Sequence, residues 1–205
     1  MKEKKFVSIE GPDSAGKTTI ANKLDKLEGT VSYKTPPDGF NEKEFFDKEA
    51  SVESRYLYYL AGLVESSREI EELVEEKNVV ADRYDLSTLF YHQAMIEEPE
   101  YQSLVEGPEE LEEILGNFDI MYPDKTYILI AEEDELRKRI DKRHDSLDSG
   151  SLTDKNIEEN DGFRSSIIEK YESFRGSEDR EVMQIDTTYI DVDEVVEKIR
   201  YDMGI

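Results

Sequence analysis

The chain has 205 residues, with 51 acidic side chains against 26 lysines and arginines and a formal net charge of −25. That balance disfavours nonspecific contact with nucleic acid or an anionic membrane and favours solubility. With no cysteine and only two histidines, His92 and His144, disulfides and thiolate zinc sites are excluded and a histidine metal centre is not expected.

No apolar run has transmembrane length, and Met1–Lys5 leads into only a few apolar residues, which predicts neither a membrane span nor a secretory signal. Length and composition predict one domain over 1–205, in the cytoplasm. "FVSIE" (6–10) is apolar and β-leaning and reads as a buried first strand. Ile20, Ala21, Leu24 and Leu27 then recur at helical spacing over 17–27. A second strand is predicted at 30–34. "TPPDG" ends it, because two prolines and a glycine continue no regular element. A short helix at 42–49 precedes a long one at 51–77, whose Tyr56, Leu60, Leu63, Val64, Ile70 and Leu73 cluster on its faces. "NVVAD" (78–82) is the third strand, followed by a helix at 86–96, a charged connection at 97–110 and a helix at 109–116. "TYILIA" (126–131) and "EVMQID" (181–186) complete five strands, with helices at 132–144, 154–175 and 191–202.

Strands alternating with helices predict an α/β fold: a five-stranded parallel sheet covered on both faces. Right-handed crossovers bring the strands' C-terminal ends, and the loops after them, to one edge. Gly11–Thr18, Asp82-Arg83 and the turn after Ile185-Asp186 follow strands and are expected to converge there.

Gly11-Pro12-Asp13-Ser14-Ala15-Gly16-Lys17-Thr18 satisfies the full G-x-x-x-x-G-K-[ST] pattern between a strand and a helix. At ordinary residue frequencies, a chain this long matches it by chance about 1% of the time. Glycine lets the backbone approach an anion closely, and the N–H groups of loop and first helical turn, through Thr19, converge on a phosphate. Lys17 supplies a cation to the β- and γ-phosphates of ATP, and the Thr18 hydroxyl suits Mg²⁺. Asp82 at a strand end suits the same ion, or else caps the next helix.

Cations matter in so acidic a chain, because screening acts over about 8 Å and only local charge offsets repulsion of a polyphosphate. Arg137, Lys138, Arg139, Lys142 and Arg143 fall within seven residues, ahead of the polar stretch 145–152. One reading is a mobile lid over about 137–155, carrying Arg139 and Arg143 onto the transferring phosphate. The other is a solvated helix face paired with Glu132, Glu133, Asp134 and Glu135. Arg83, beside the presumed metal carboxylate, and Arg164 are further candidates for phosphate contact, or ordinary surface charges.

These residues together resemble the thymidylate kinase family, nucleoside-monophosphate kinases of P-loop α/β architecture. "SIEGPDSAGKTT", "VVADRYDLSTLFYHQ", "YILIAEEDELRKRIDKR", "GFRSSIIEKYESF" and "QIDTTYIDVDEVVEKI" carry the resemblance along nearly the whole chain. It implies γ-phosphoryl transfer from Mg·ATP to a nucleoside monophosphate, foremost dTMP to dTDP. Asp13 would approach the acceptor's sugar hydroxyl, Arg83 would clamp its phosphate, and Ser87 and Tyr91 would line its pocket. Ser14 stands where some members carry a basic residue, which shifts the burden to the lid arginines. A homodimer through helices is also implied, with the apolar face of 51–77 as interface or as core.

Two departures stand out. "YKTPPDGF" lacks the arginine the family places after the second strand and leaves Lys34 as the nearby cation. On the long helix, Ala61 or Gly62 falls where the family carries an arginine that reads the thymine ring. Tyr58 or Tyr59 is expected to stack on a base, with Arg55 or Arg68 as substitutes for the arginine. Two further readings stay open: a kinase of the same fold acting on a nucleoside hydroxyl, with Asp13 or Glu10 as base, and a nucleotide-binding regulatory module without transfer. No histidine is expected at the site; an acceptor that is already a phosphate needs no strong base.

Overall fold

The computed structural model describes residues 4–99, 104, 107–146, 160–176 and 180–205, with backbone alone at 143–146. Its centre is a sheet of five parallel strands, β1 (Phe6–Glu10), β2 (Thr30–Lys34), β3 (Asn78–Asp82), β4 (Lys125–Ile130) and β5 (Glu181–Asp186), in the order β2-β3-β1-β4-β5. Register runs Phe6 opposite Val79 and Ile9 opposite Asp82 on one side of β1, and Val7 opposite Lys125 on the other. The chain leaves β1 for β2, returns to β3, then crosses to β4 and β5. Consecutive connections therefore diverge at β1, and the cleft at its C-terminal end is open to a ligand.

Successive strand side chains point to opposite faces, so a buried parallel strand needs apolar residues on both. Phe6, Val79, Ala81 and Ile128 face one core and Val7, Ile9, Val80, Tyr127 and Leu129 the other. The first core is covered by α3 (Val52–Val74), α4 (Asp85–Glu97), α5 (Pro108–Gly116) and α7 (Asp161–Ser173), through residues such as Leu63, Leu89, Leu111 and Ile167. The second is covered by α1 (Lys17–Leu24) and α8 (Val192–Met203), through Ile20, Leu24, Val195 and Ile199. The short α2 (Lys43–Lys48) and α6 (Glu133–Ser146) complete the described helices.

Local chemistry sets the helix ends. The Ser51 hydroxyl accepts from the Ser54 amide at 3.3 Å to start α3, and the Asp191 carboxylate accepts from the Asp193 and Glu194 amides to start α8. Helix α1 stops at Leu24, three residues before the predicted end, as Leu27 N–H turns to the Leu24 carbonyl. Helix α7 begins at Asp161, where the Asn160 side chain caps the Phe163 amide. Residues 154–159, predicted as part of that helix, and 147–155 of the expected lid lie outside the described residues, as does the Arg143 side chain. The apolar face of α3 is core: Leu60, Leu63 and Ile70 are buried and Leu57 is exposed. Among the described residues no helix is long and apolar enough to cross a membrane.

Glycine 62 explains one departure in the sequence. A Cβ there would lie 2.5 Å from Pro36 Cβ and 3.5 Å from the Phe40 ring. The loop after β2 therefore seals this face of α3, and no side chain projects from position 62. Gly62→Ala is expected to destabilise the fold by about 1–3 kcal/mol through overpacking, read as a lowered midpoint in urea unfolding. An unchanged midpoint would show that the loop does not pack here.

Candidate active site

The loop from β1 to α1 is built for close approach. Gly11 has φ +139°, and a Cβ there would meet the Leu129 carbonyl oxygen at 2.2 Å, so only glycine fits. Gly16 (φ 102°) and Ser14 (φ 63°) also take left-handed backbone. Ala15 is buried, its carbonyl within 3.4 Å of Thr187 Oγ1 in the turn after β5. Thr18 and Thr19 are exposed at the first turn of α1. The Lys17 ammonium is buried and donates to the Gly11 carbonyl at 2.8 Å and the Pro12 carbonyl at 2.6 Å. Burial, followed by the Arg83 charge, lowers its pKa to about 7 despite Asp13, Asp82 and Glu10. Lysine thus spans the loop from within.

The Thr18 hydroxyl donates to Asp82 Oδ2 at 2.6 Å. The other oxygen, Asp82 Oδ1, is buried without a partner. An orphaned carboxylate oxygen beside a hydroxyl is a hard-oxygen set that fits a divalent cation. Next to it, Arg83 takes φ 69°, which turns its guanidinium back over the loop. It pairs with Asp13, reaches Ser87 Oγ at 3.2 Å and lies 5.0 Å from the Tyr91 ring centroid. The Tyr91 hydroxyl donates to the second Asp13 oxygen at 2.9 Å. Asp13, Arg83, Ser87 and Tyr91, predicted to meet, form one cluster.

Beneath it lies a polar knot that the sequence reading did not anticipate. Glu10 is fully buried and accepts from the Tyr84 amide (2.8 Å), the Ser87 amide (3.2 Å), the Ser87 hydroxyl (2.5 Å) and the Tyr171 hydroxyl (3.2 Å). Burial and then the Asp85 charge push its carboxyl above the usual range. Asp85 is itself held by a buried, two-pronged ion pair with Arg180. This knot fixes the start of α4 to β1, α7 and β5, so Ser87 and Arg83 are presented on rigid elements.

The cluster forms one wall of a pocket of about 390 Å³ between α3, α4 and the loop 34–47. Tyr59 lines it, its hydroxyl on Asp47 Oδ1 at 2.8 Å. Tyr58, one residue back, lies outside: it stacks on Phe46 with ring centroids 4.2 Å apart. Lys34 and, unforeseen, Lys43 line the mouth. Of the two substitute arginines, Arg55 lines the pocket and Arg68 sits on the surface beside Glu65. Arg55 Nε donates to the Phe46 carbonyl at 2.7 Å, and Nη2 to the Asp47 carbonyl. His92 corrects the expectation that no histidine reaches the site: it is buried in the pocket wall against Tyr56 and Tyr59. Contact across helices α3 and α4 puts it there, which no local pattern reveals.

Burial takes the His92 imidazole from its ordinary 6.5 down to about 4, with the Thr88 carbonyl opposing and Arg55 assisting. The unfolded chain therefore binds a proton between these values and the folded one does not. The stabilisation is complete above pH 6.5 and is lost as pH falls toward 4, a difference of about 3 kcal/mol. Urea unfolding of wild type and His92→Gln from pH 7 to 4 checks this: wild type is expected to lose about that amount relative to the variant. Parallel curves would contradict it.

Of the lid cluster, Arg137 pairs with Glu133 and Asp161, Lys138 lies 4.0 Å from Glu135, and Arg139 is held by Glu135 and by the Thr187 carbonyl at 2.7 Å. Arg137, Lys138 and Arg139 are thus tied to neighbouring acids, and Arg139 also to the turn after β5. Arg164 lines a small crevice with Pro12, Asp13 and Tyr91.

A phosphate-loop motif, a threonine–aspartate pair and an arginine-capped pocket thus meet on one sheet edge. The thymidylate kinase family model matches residues 9–199. The chain belongs to the thymidylate kinase family. It is an ATP-dependent kinase of the P-loop fold. A probable thymidylate kinase of Methanococcus vannielii is 31% identical over 147 residues, covering 70% of this chain and 69% of that protein. One from Methanococcus maripaludis is 28% identical over 207 residues, covering 95% and 92%. Among solved structures, thymidylate kinase from Candida albicans aligns with TM-score 0.71 at 19% identity, over 98% of this chain and 92% of that one. Deoxyadenosine kinase from M. mycoides with bound dATP gives 0.70 at 19%, over 98% and 100%. At such identities the two share a fold with this kinase.

Proposed function

We propose that the protein transfers the γ-phosphate of ATP to dTMP, giving dTDP. The observation that carries this reading is Arg83: a cation that lines the pocket, lies beside the phosphate loop and is oriented by Asp13. An acceptor that already bears a phosphate needs such a clamp and no strong base, since its nucleophile is anionic. The hydroxyl-acceptor alternative needs a free carboxylate base. Glu10 is buried with four donors on it and does not line the pocket, and Asp13 is engaged by Arg83 and Tyr91. That arrangement favours the monophosphate. Thr18 and Asp82 would hold Mg²⁺, which when bound neutralises charge on the β- and γ-phosphates. Lys17 and the loop amides bind the triphosphate, Arg83 orients the acceptor phosphate, and Tyr59 and Tyr91 exclude water from the pocket. The test is a panel of nucleosides and nucleoside monophosphates with Mg·ATP, following product by chromatography. Turnover of dTMP ahead of the other monophosphates is expected. Phosphorylation of nucleosides alone, or ATP binding without transfer, would overturn the proposal.

A further inference from the structure

The inner wall of the acceptor pocket carries an unsatisfied group. His92 is 3% exposed, and its Nδ1 lies 2.6 Å from the Thr88 carbonyl oxygen. A carbonyl only accepts, so Nδ1 carries the hydrogen and donates. In the neutral ring the remaining nitrogen, Nε2, is then an acceptor with its lone pair free. Nε2 is buried and has no partner. A buried acceptor without a donor is a cost that native structures rarely keep without a use.

The groups around it narrow what could fill the gap. Tyr59, in tilted contact with the imidazole, gives its hydroxyl hydrogen to Asp47. Thr88 directs its hydroxyl at the Tyr84 carbonyl. Arg55 lines the same pocket and carries donors only, of which Nε, Nη1 and Nη2 each have one protein partner. Among the pocket groups just named, none turns a donor to Nε2. An arginine with N–H groups left over and a histidine with a lone pair left over make a donor beside an acceptor, on the α3–α4 side of the pocket.

Thymine attached to a sugar through N1 has one N–H, at N3, flanked by carbonyl oxygens on C2 and C4. Its edge is acceptor, donor, acceptor. We propose that His92 Nε2 accepts the thymine N3–H and that Arg55 donates to an adjacent thymine carbonyl. These two residues thereby replace the arginine that the sealed position Gly62 leaves no room for. The assignment rests on the thymine acceptor argued above, and it adds which atoms read the base. His92 is then a specificity residue: a ligand lacking the N3 hydrogen leaves Nε2 unpaired, and rejection of such analogues is steep where a site is built around a hydrogen bond.

The test compares dTMP with N3-methyl-dTMP, and thymidine with N3-methylthymidine, by calorimetry and by turnover with Mg·ATP. Wild type is expected to prefer the unmethylated ligand by about 100-fold, a lost hydrogen bond plus a misplaced methyl. In His92→Ala, which removes the acceptor and makes room for the methyl, dTMP weakens by about tenfold and the preference falls below about fivefold. Unchanged Mg·ATP affinity shows that the variant is folded. A second readout needs no variant: in isotope-labelled wild type, the His92 Nε2 resonance shifts on adding dTMP and not on adding N3-methyl-dTMP. A methylation preference equal in wild type and His92→Ala, or an Nε2 resonance unmoved by dTMP, overturns the assignment while leaving dTMP kinase activity standing. If thymidine is phosphorylated and dTMP is not, with the same collapse of preference, the phosphate acceptor is wrong and His92 still reads the base. Transfer only to a nucleotide without thymine sinks both.

Discussion

Replacing Lys17 with alanine is expected to lower phosphoryl transfer at least about 1,000-fold, a loss of about 4 kcal/mol of transition-state stabilisation, while leaving the fold in place. The ammonium is the one side-chain cation inside the loop itself, between Gly11 and Thr18. It is buried there, with Gly11 and Pro12 carbonyls as its protein partners. Two neutral acceptors do not compensate the removal of a full charge from water, and its pKa of about 7 reflects that burial first. Charge growing on the transferring oxygens supplies the compensation, so the lysine acts more strongly in the transition state than in the empty site. The same reasoning predicts little loss of stability: alanine relieves a desolvated charge, which offsets the two buried carbonyls it leaves without a donor. The experiment pairs ADP formation with a thermal melt. Turnover near wild type would remove the phosphate loop from the mechanism, and a melt lowered by more than about 8 °C would mean a structural role.

What the sequence made legible follows from how locally each feature is encoded. The five strands are short apolar runs broken by turn residues, and each lies within a residue of its expected place. The phosphate loop is eight contiguous residues between a strand and a helix, so spacing alone identifies it. The pocket is different. Tyr58 and Tyr59 differ by 100° around α3, and only the approach of Phe46 decides that the first packs away and the second lines the cavity. Helix α4 is buried on nearly every side from Asp85 to Met95, so it has no polar stripe to show that His92 lines the pocket. Nothing in the sequence separates Arg55 from Arg68 as a candidate until α2 folds back and offers Arg55 the Phe46 and Asp47 carbonyls. Asp85 and Arg180 are 95 residues apart, and no pattern in either segment announces their pair. The cation cluster of α6 was visible, but the partners of Arg139 depend on the turn after β5, which the sequence places on the same edge without saying what it touches.

The Arg83 guanidinium sits where loop, pocket and α4 meet, and its replacement by alanine is expected to reduce kcat/KM for the monophosphate by about 1,000-fold, or about 4 kcal/mol. The KM for ATP should change by less than about threefold, because the loop and Lys17 still hold the triphosphate. Backbone strain does not confuse the result: position 83 has φ 69°, and alanine bears that conformation at the same cost as arginine. Part of the loss is indirect. Asp13 would keep Tyr91 as a partner and lose its cation, so a bare carboxylate would face an anionic acceptor. Adding Asp13→Asn to Arg83→Ala should therefore recover about tenfold, a non-additive pair as expected for residues in contact. Arg83→Lys should fall between, keeping the charge but not the fork that holds two oxygens at once. Initial rates over a grid of ATP and dTMP concentrations separate these outcomes. If Arg83→Ala raises the KM for ATP and leaves that for dTMP unchanged, the guanidinium serves the donor nucleotide, and the pocket beside it must be assigned to something other than the acceptor's phosphate.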